Sequence, residues 1–146
     1  MKKIKHVKIL FLILACLCIF SSCSSPGWVT ENTKITIGES EKFSREEIEQ
    51  AIEVVKKDEN GIYETTLLSI TYDENRSEVD ISSYMNGGKG SFNGVNPENV
   101  IVLFADFKTY GGQAVLDSYK VYTDYKWILI KKDKDSPWVI DDRGYG

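Results

Sequence analysis

The residue types that do most covalent and metal chemistry are scarce in this chain and sit at its N-terminus. His6 is the one histidine, and Cys16, Cys18 and Cys23 are the three cysteines. A Ser-His-Asp triad needs a histidine beside its nucleophile, and a structural or catalytic zinc needs His or Cys ligands at set spacings. After Cys23 neither type occurs. The chemistry left to the rest of the chain is that of carboxylates, lysines, tyrosines and hydroxyls.

The N-terminal cysteines belong to a three-zone segment. Lys2, Lys3, Lys5 and Lys8 make a basic start, Ile9 to Phe20 is an apolar run of 12 residues, and Ser21, Ser22 and Cys23 close it. That order is the signature of a secretory signal. At the helical rise of 1.5 Å per residue the run reaches only about 18 Å, against a hydrocarbon core of roughly 30 Å, so a membrane span is disfavoured. Phe20-Ser21-Ser22-Cys23 resembles the bacterial lipobox, with Phe20 standing where an aliphatic residue is usual. The resemblance implies lipidation of Cys23, which would become the first residue of a protein anchored on the outer face of the cell membrane. Two acyl chains anchor stably where one does not. The alternatives are a plain secretory signal with a free thiol at Cys23, and a lipobox at Ile13-Leu14-Ala15-Cys16. The second would leave a very short apolar core.

Removal of residues 1–22 takes away His6, Cys16, Cys18 and four lysines but no acid. The remaining 124 residues hold 14 Lys and Arg against 22 Asp and Glu, a net charge of −8. Nucleic-acid binding draws its affinity from neutralising phosphates, so this charge argues against such a partner. With a single cysteine, Cys23, no internal disulfide forms and no thiolate metal site can be built. No cofactor and no metal are expected.

Two carboxylate pairs suggest a glycosidase, Asp106 with Asp124 and Asp141 with Asp142. That reaction needs two carboxyls about 5–10 Å apart across a sugar cleft. Neighbours on a strand point to opposite faces, which counts against Asp141 and Asp142. Solvated surface acids are the plainer explanation. "DENRSEVD" (73–80) offers oxygen ligands at Asp73, Asn75 and Ser77, but an EF-hand loop needs Gly sixth and Glu twelfth, where Glu78 and Tyr84 stand. "GGKGS" (87–91) lacks the Lys-Ser/Thr pair of a phosphate loop, so nucleotide binding is rejected. The loops 86–97 and 109–114 remain candidate partner contacts. Tyr119, Tyr122, Tyr125, Trp127, Trp138 and Tyr145 could line a groove for glycan or peptide, although packing against a helix is the commoner use.

The elements that would position these residues can be read in order. Residues 23–42 read as a tether, spanning on the order of 25 Å if flexible. Ile35 and Ile37 could add an edge strand, and Trp28 reads as a packing anchor or an interfacial contact. Ser44 and Glu47 form an S-x-x-E capping box, and Ile48, Ala51, Ile52 and Val55 recur on one face, which predicts a helix over about 45–58. Leu68, Ile70 and Tyr72 alternate in a strand that Asp73-Glu74-Asn75 turns. Ser77 and Asp80 could cap a short helix with Ile81, Tyr84 and Met85. Residues 86–99 read as a glycine-rich loop. Val100 to Phe107 is apolar enough for a central strand covered on both sides. A hairpin closes the chain, with Trp127 and Leu129 on one face of its first arm, Ile128 and Ile130 on the other, and Trp138 and Ile140 together on the return. The sum is one α+β domain over residues 43–146, with one long N-terminal helix packed on a curved antiparallel sheet of about four strands.

"ITIGESEKFSREEIEQAIEVV" and "YTDYKWILIKKDKDSPWVIDDRGYG" together resemble a family of small, uncharacterised exported or lipid-anchored domains of Gram-positive bacteria, over most of residues 35–146. The ending is also similar to that of NTF2-like domains, and a smaller cystatin-like arrangement fits the single clear helix. The resemblance implies no catalytic residues. The expected role is therefore a non-enzymatic binding module, held to the membrane through Cys23 and contacting an envelope protein, peptide or glycan. A carboxylate-based cell-wall hydrolase and an inhibitory module are the alternatives.

Overall fold

The computed structural model describes residues 28–58, 64–111 and 116–145, so the signal segment, Cys23 and the first tether residues lie outside the described residues. Five strands form one sheet in the order β1-β2-β3-β4-β5. They are β1 (Val29–Ile37), β2 (Thr65–Tyr72), β3 (Val100–Thr109), β4 (Val121–Ile130) and β5 (Val139–Gly144). Helix α1 (Arg45–Lys56) lies between β1 and β2, and α2 (Glu74–Gly87) between β2 and β3. A helical turn, Gly90–Asn93, and a 3-10 turn, Pro97–Asn99, complete the link to β3. No helix among the described residues is long and apolar enough to cross a membrane.

This corrects the expected architecture in three ways. The sheet has five strands, and it is mixed, because β1 pairs parallel to β2 while every other pair is antiparallel. Parallel neighbours need a crossover of a dozen or more residues, and α1 supplies it. The helix is not alone, since α2 is the longer of the two at 14 residues. And the stretch read as a tether contains β1. Trp28 is already bound in, its carbonyl accepting from Leu67 N–H at 2.7 Å and its indole N–H donating to Lys56 O at 3.2 Å.

Two helices allow both faces of the sheet to be covered. On one face Ile48, Ala51, Ile52 and Val55 of α1 meet Leu67, Ile70, Leu103, Trp127 and Leu129. On the other, Ile81 and Tyr84 of α2 meet Val100, Val102 and Phe104. β3 therefore has no solvent face over its first half, as its unbroken apolar run predicts. The hairpin faces also match expectation, with Trp127, Leu129, Trp138 and Ile140 on the α1 side and Ile128 and Ile130 on the α2 side. Ser77 does not cap α2; its hydroxyl is buried and accepts from Val102 N–H at 3.0 Å, tying the helix to β3. The cap is Asp73, whose carboxylate accepts from Arg76 N–H at 2.9 Å.

Candidate functional site

The turn from β1 into α1 bends back over the start of α2. Gly38 donates its N–H to Tyr72 O at 3.0 Å, and a Cβ there would sit 3.2 Å from that oxygen, so the backbone approach needs a small residue. Glu74, the first residue of α2, holds the rest of the turn. Its carboxylate accepts from the Ser40 hydroxyl, from Glu41 N–H at 3.0 Å, from Lys42 N–H at 3.2 Å and from Tyr72 OH at 3.4 Å. The Ser40 hydrogen bond, helped by the two backbone N–H groups, holds the Glu74 carboxyl below the usual range. Burial, the larger effect, pushes the Tyr72 phenol up to about 12, so it stays a donor at neutral pH. Lys42 completes the clasp, reaching Glu78 at 2.7 Å and Pro97 O at 2.9 Å.

Around this turn lies an open cleft of about 830 Å³. Phe43 and Ile48 form an apolar floor, while Glu39, Glu41, Arg45 and Asn75 stand at the rim. Glu39 and Glu41 are exposed, which makes the rim acidic on the side of the turn. Nothing in the sequence pattern singled out these residues. Ser40 and Glu74 are 34 positions apart, and no short motif encodes their meeting.

The carboxylate pairs that suggested hydrolysis are each held by other groups. Asp106 accepts from Ser69 Oγ at 2.8 Å and from Asp124 N–H at 2.9 Å, at a bulge where Asp124 adopts φ 56°. The Asp124 carboxylate is bridged to Arg76 at 2.6 Å. The acids thus sit in one strand irregularity and not across a cleft. Asp141 and Asp142 depart from strict alternation, because the β4–β5 register shifts between Ile128 and Leu129. Tyr84 OH donates to Asp141 at 2.7 Å, and Lys89 reaches Asp141 O at 2.7 Å and Asp142 at 3.4 Å. Burial first, and the bond to Asp141 second, push the Tyr84 phenol far up. It donates a hydrogen bond here and does not act as a base.

The glycine-rich stretch acts through close approach. A Cβ on Gly88 would lie 2.9 Å from Tyr84 O, and one on Gly90 would lie 2.5 Å from the Tyr84 ring. The glycines let the chain fold against α2, and Lys89 then reaches β5.

The aromatics divide into two groups. Trp138 pairs edge-on with Phe43, centroids 5.5 Å apart, near the cleft. Trp28, Trp127, Tyr125, Phe107, Tyr122 and Tyr145 form a continuous chain of rings at the other end, each 5.2–6.3 Å from the next. Its inner members Trp127 and Phe107 are fully buried and pack the core, whereas Tyr145 is exposed, as is Tyr119, which stands outside the chain of rings two residues before β4.

The fold and these sites define a small mixed α+β domain whose polar clusters hold turns and helices in place. Residues 36–144 match the family described as "Domain of unknown function (DUF4829)", and the chain belongs to that family. No curated protein and no solved structure matches the chain.

Proposed function

We propose that this protein is a lipid-anchored module on the outer face of the cytoplasmic membrane that binds a polypeptide partner in the envelope and catalyses no reaction. Its anchor is Cys23, and the expected source is the Gram-positive envelope implied by the sequence resemblance. The partner segment would carry lysine or arginine, matching the acidic rim and the net charge of −8 left after processing. The observation that carries the reading is the open cleft, with its apolar floor and the exposed carboxylates of Glu39 and Glu41 over a turn clamped by Glu74. A clamped turn presents its contacts without the ordering cost that a loose one has on binding. The engagement of Asp106, Asp124, Asp141 and Asp142 by other groups supports binding over hydrolysis.

The test has two parts. Mass spectrometry of the membrane fraction should find the Cys23 peptide diacylated, and Cys23→Ser should move the protein out of that fraction. The full-length protein should then retain an envelope protein from detergent extracts, and Glu39→Lys with Glu41→Lys should lose it. Turnover of purified cell-wall material that disappears in Asp141→Asn or Asp106→Asn would overturn the reading.

A further inference from the structure

The sheet has two ends of different character. Because β1 is parallel to β2 and each later strand antiparallel to the one before, the start of β1, the end of β3, the start of β4 and the end of β5 come together. Tyr110, Tyr119, Val121 and Tyr145 cluster there, 43%, 77%, 50% and 55% exposed. Charges of both signs accompany them: Lys108 Nζ lies 5.2 Å from the Tyr110 ring, and Lys120 Nζ, paired with the exposed Asp117 at 3.0 Å, lies 5.4 Å from the Tyr122 ring, while Glu31 and Glu64 are also exposed at this end. The opposite end carries the cleft and the exposed acids Glu39, Glu41, Glu98, Asp133 and Asp135, together with the exposed cations Arg45, Lys132 and Lys134.

The chain enters the sheet at the aromatic end. Trp28 follows Cys23 by five residues. A fully extended chain covers at most roughly 3.3–3.6 Å per residue, so this link spans no more than about 18 Å. The headgroup layer takes up roughly 5–7 Å of that, which leaves a gap of about 10 Å at full stretch. A domain held so close meets the bilayer with whichever surface surrounds its point of attachment. Tyrosine suits that position, since its ring is apolar and its hydroxyl wet, and it is enriched where headgroups meet hydrocarbon.

We propose that this end of the sheet rests on the membrane, with Tyr110, Tyr119, Val121 and Tyr145 at headgroup level and the acidic cleft facing away from the bilayer. The proposal rests on lipidation of Cys23. β3 is ten residues long, so at about 3.3 Å per residue the cleft end stands roughly 30 Å further out. The lipid surface is the partner at one end, and the other end is left open to proteins.

Site-directed spin labelling of the full-length lipoprotein tests this. The protein is isolated from bacterial membranes and reconstituted into phosphatidylethanolamine–phosphatidylglycerol vesicles. Tyr119→Cys and Val121→Cys probe the aromatic end, and Glu98→Cys probes the other. Nitroxides at 119 and 121 should be several-fold more accessible to oxygen, relative to a water-soluble nickel chelate, than the nitroxide at 98. Equal nickel accessibility at all three positions would overturn the orientation. The parent protein is the control for the anchor. An acylated Cys23 takes no label, and labelling of the parent would overturn the anchor and the orientation with it. A blocked Cys23 with water-exposed labels at 119 and 121 would overturn the orientation alone.

Discussion

Glu74 shows how one side chain can fix a turn it does not belong to. Four donors converge on its carboxylate, two of them backbone N–H groups of the turn before α1. A hydrogen bond to a charged group is worth more than a neutral one, but this group is partly solvated. Glu74→Gln is therefore expected to cost about 1–2 kcal/mol at neutral pH in urea unfolding. The sign of the pH dependence follows from the lowered carboxyl. The folded state binds the proton less readily than the unfolded chain, so the stabilisation is fully present above the unfolded value, about 4.3. It is lost as the pH falls through the folded value. The parent and the glutamine variant should thus differ at pH 7 and converge below about pH 4. None of this was readable from the sequence, where Asp73-Glu74-Asn75 has the composition of a plain turn. Composition reports what a residue tolerates locally, and three of the four donors to Glu74, from Ser40, Glu41 and Lys42, come from more than 30 positions away.

Among the elements, those with strong local signals were legible and those set by tertiary pairing were not. The α1 capping box is present as read, Ser44 Oγ accepting from Glu47 N–H at 3.3 Å and Ser44 N–H donating to Glu47 at 2.9 Å. β1 was obscured because most of its residues face solvent at the edge of the sheet, leaving only Ile35 and Ile37 to suggest it. Its parallel pairing has no sequence signature at all. α2 was read too short because it is rich in Ser and Asn, and its cap lies one residue before the helix, inside what looked like a turn. The capping box also shows where local and tertiary roles combine. Glu47 accepts from Lys131 Nζ at 2.6 Å, while its carbonyl accepts from Trp138 Nε1–H at 3.0 Å. Lys131 is only 4% exposed, and its ammonium lies 4.8 Å from the Trp138 ring. Ser44→Ala removes one cap bond and should cost about 1 kcal/mol. Glu47→Ala also leaves a buried ammonium without its carboxylate, and should cost more, about 2–3 kcal/mol. Guanidinium unfolding of the two variants gives the ranking, and equal losses would mean that Lys131 finds solvent when Glu47 is gone.

At the scale of the molecule, the two cores are joined by β3. Ile101, Leu103 and Ala105 face α1, and Val100, Val102 and Phe104 face α2. A strand covered on both sides cannot leave one core without disturbing the other, so the domain should unfold as a single unit. Its stability is that of a small domain, on the order of 5–15 kcal/mol, and a core truncation removes a large share. Leu103→Ala should cost about 2–5 kcal/mol on the α1 side, and Val102→Ala about 2 kcal/mol on the α2 side. Trp28, Trp127 and Trp138 all pack with the α1-side core, so tryptophan fluorescence reports that core alone. If the cores are coupled, Val102→Ala lowers the fluorescence midpoint even though no tryptophan lies on its face. Circular dichroism, which follows both helices, should give the same midpoint. Two separated transitions, or a fluorescence midpoint untouched by Val102→Ala, would mean that the α2 layer opens by itself while the α1 layer and the cleft remain folded.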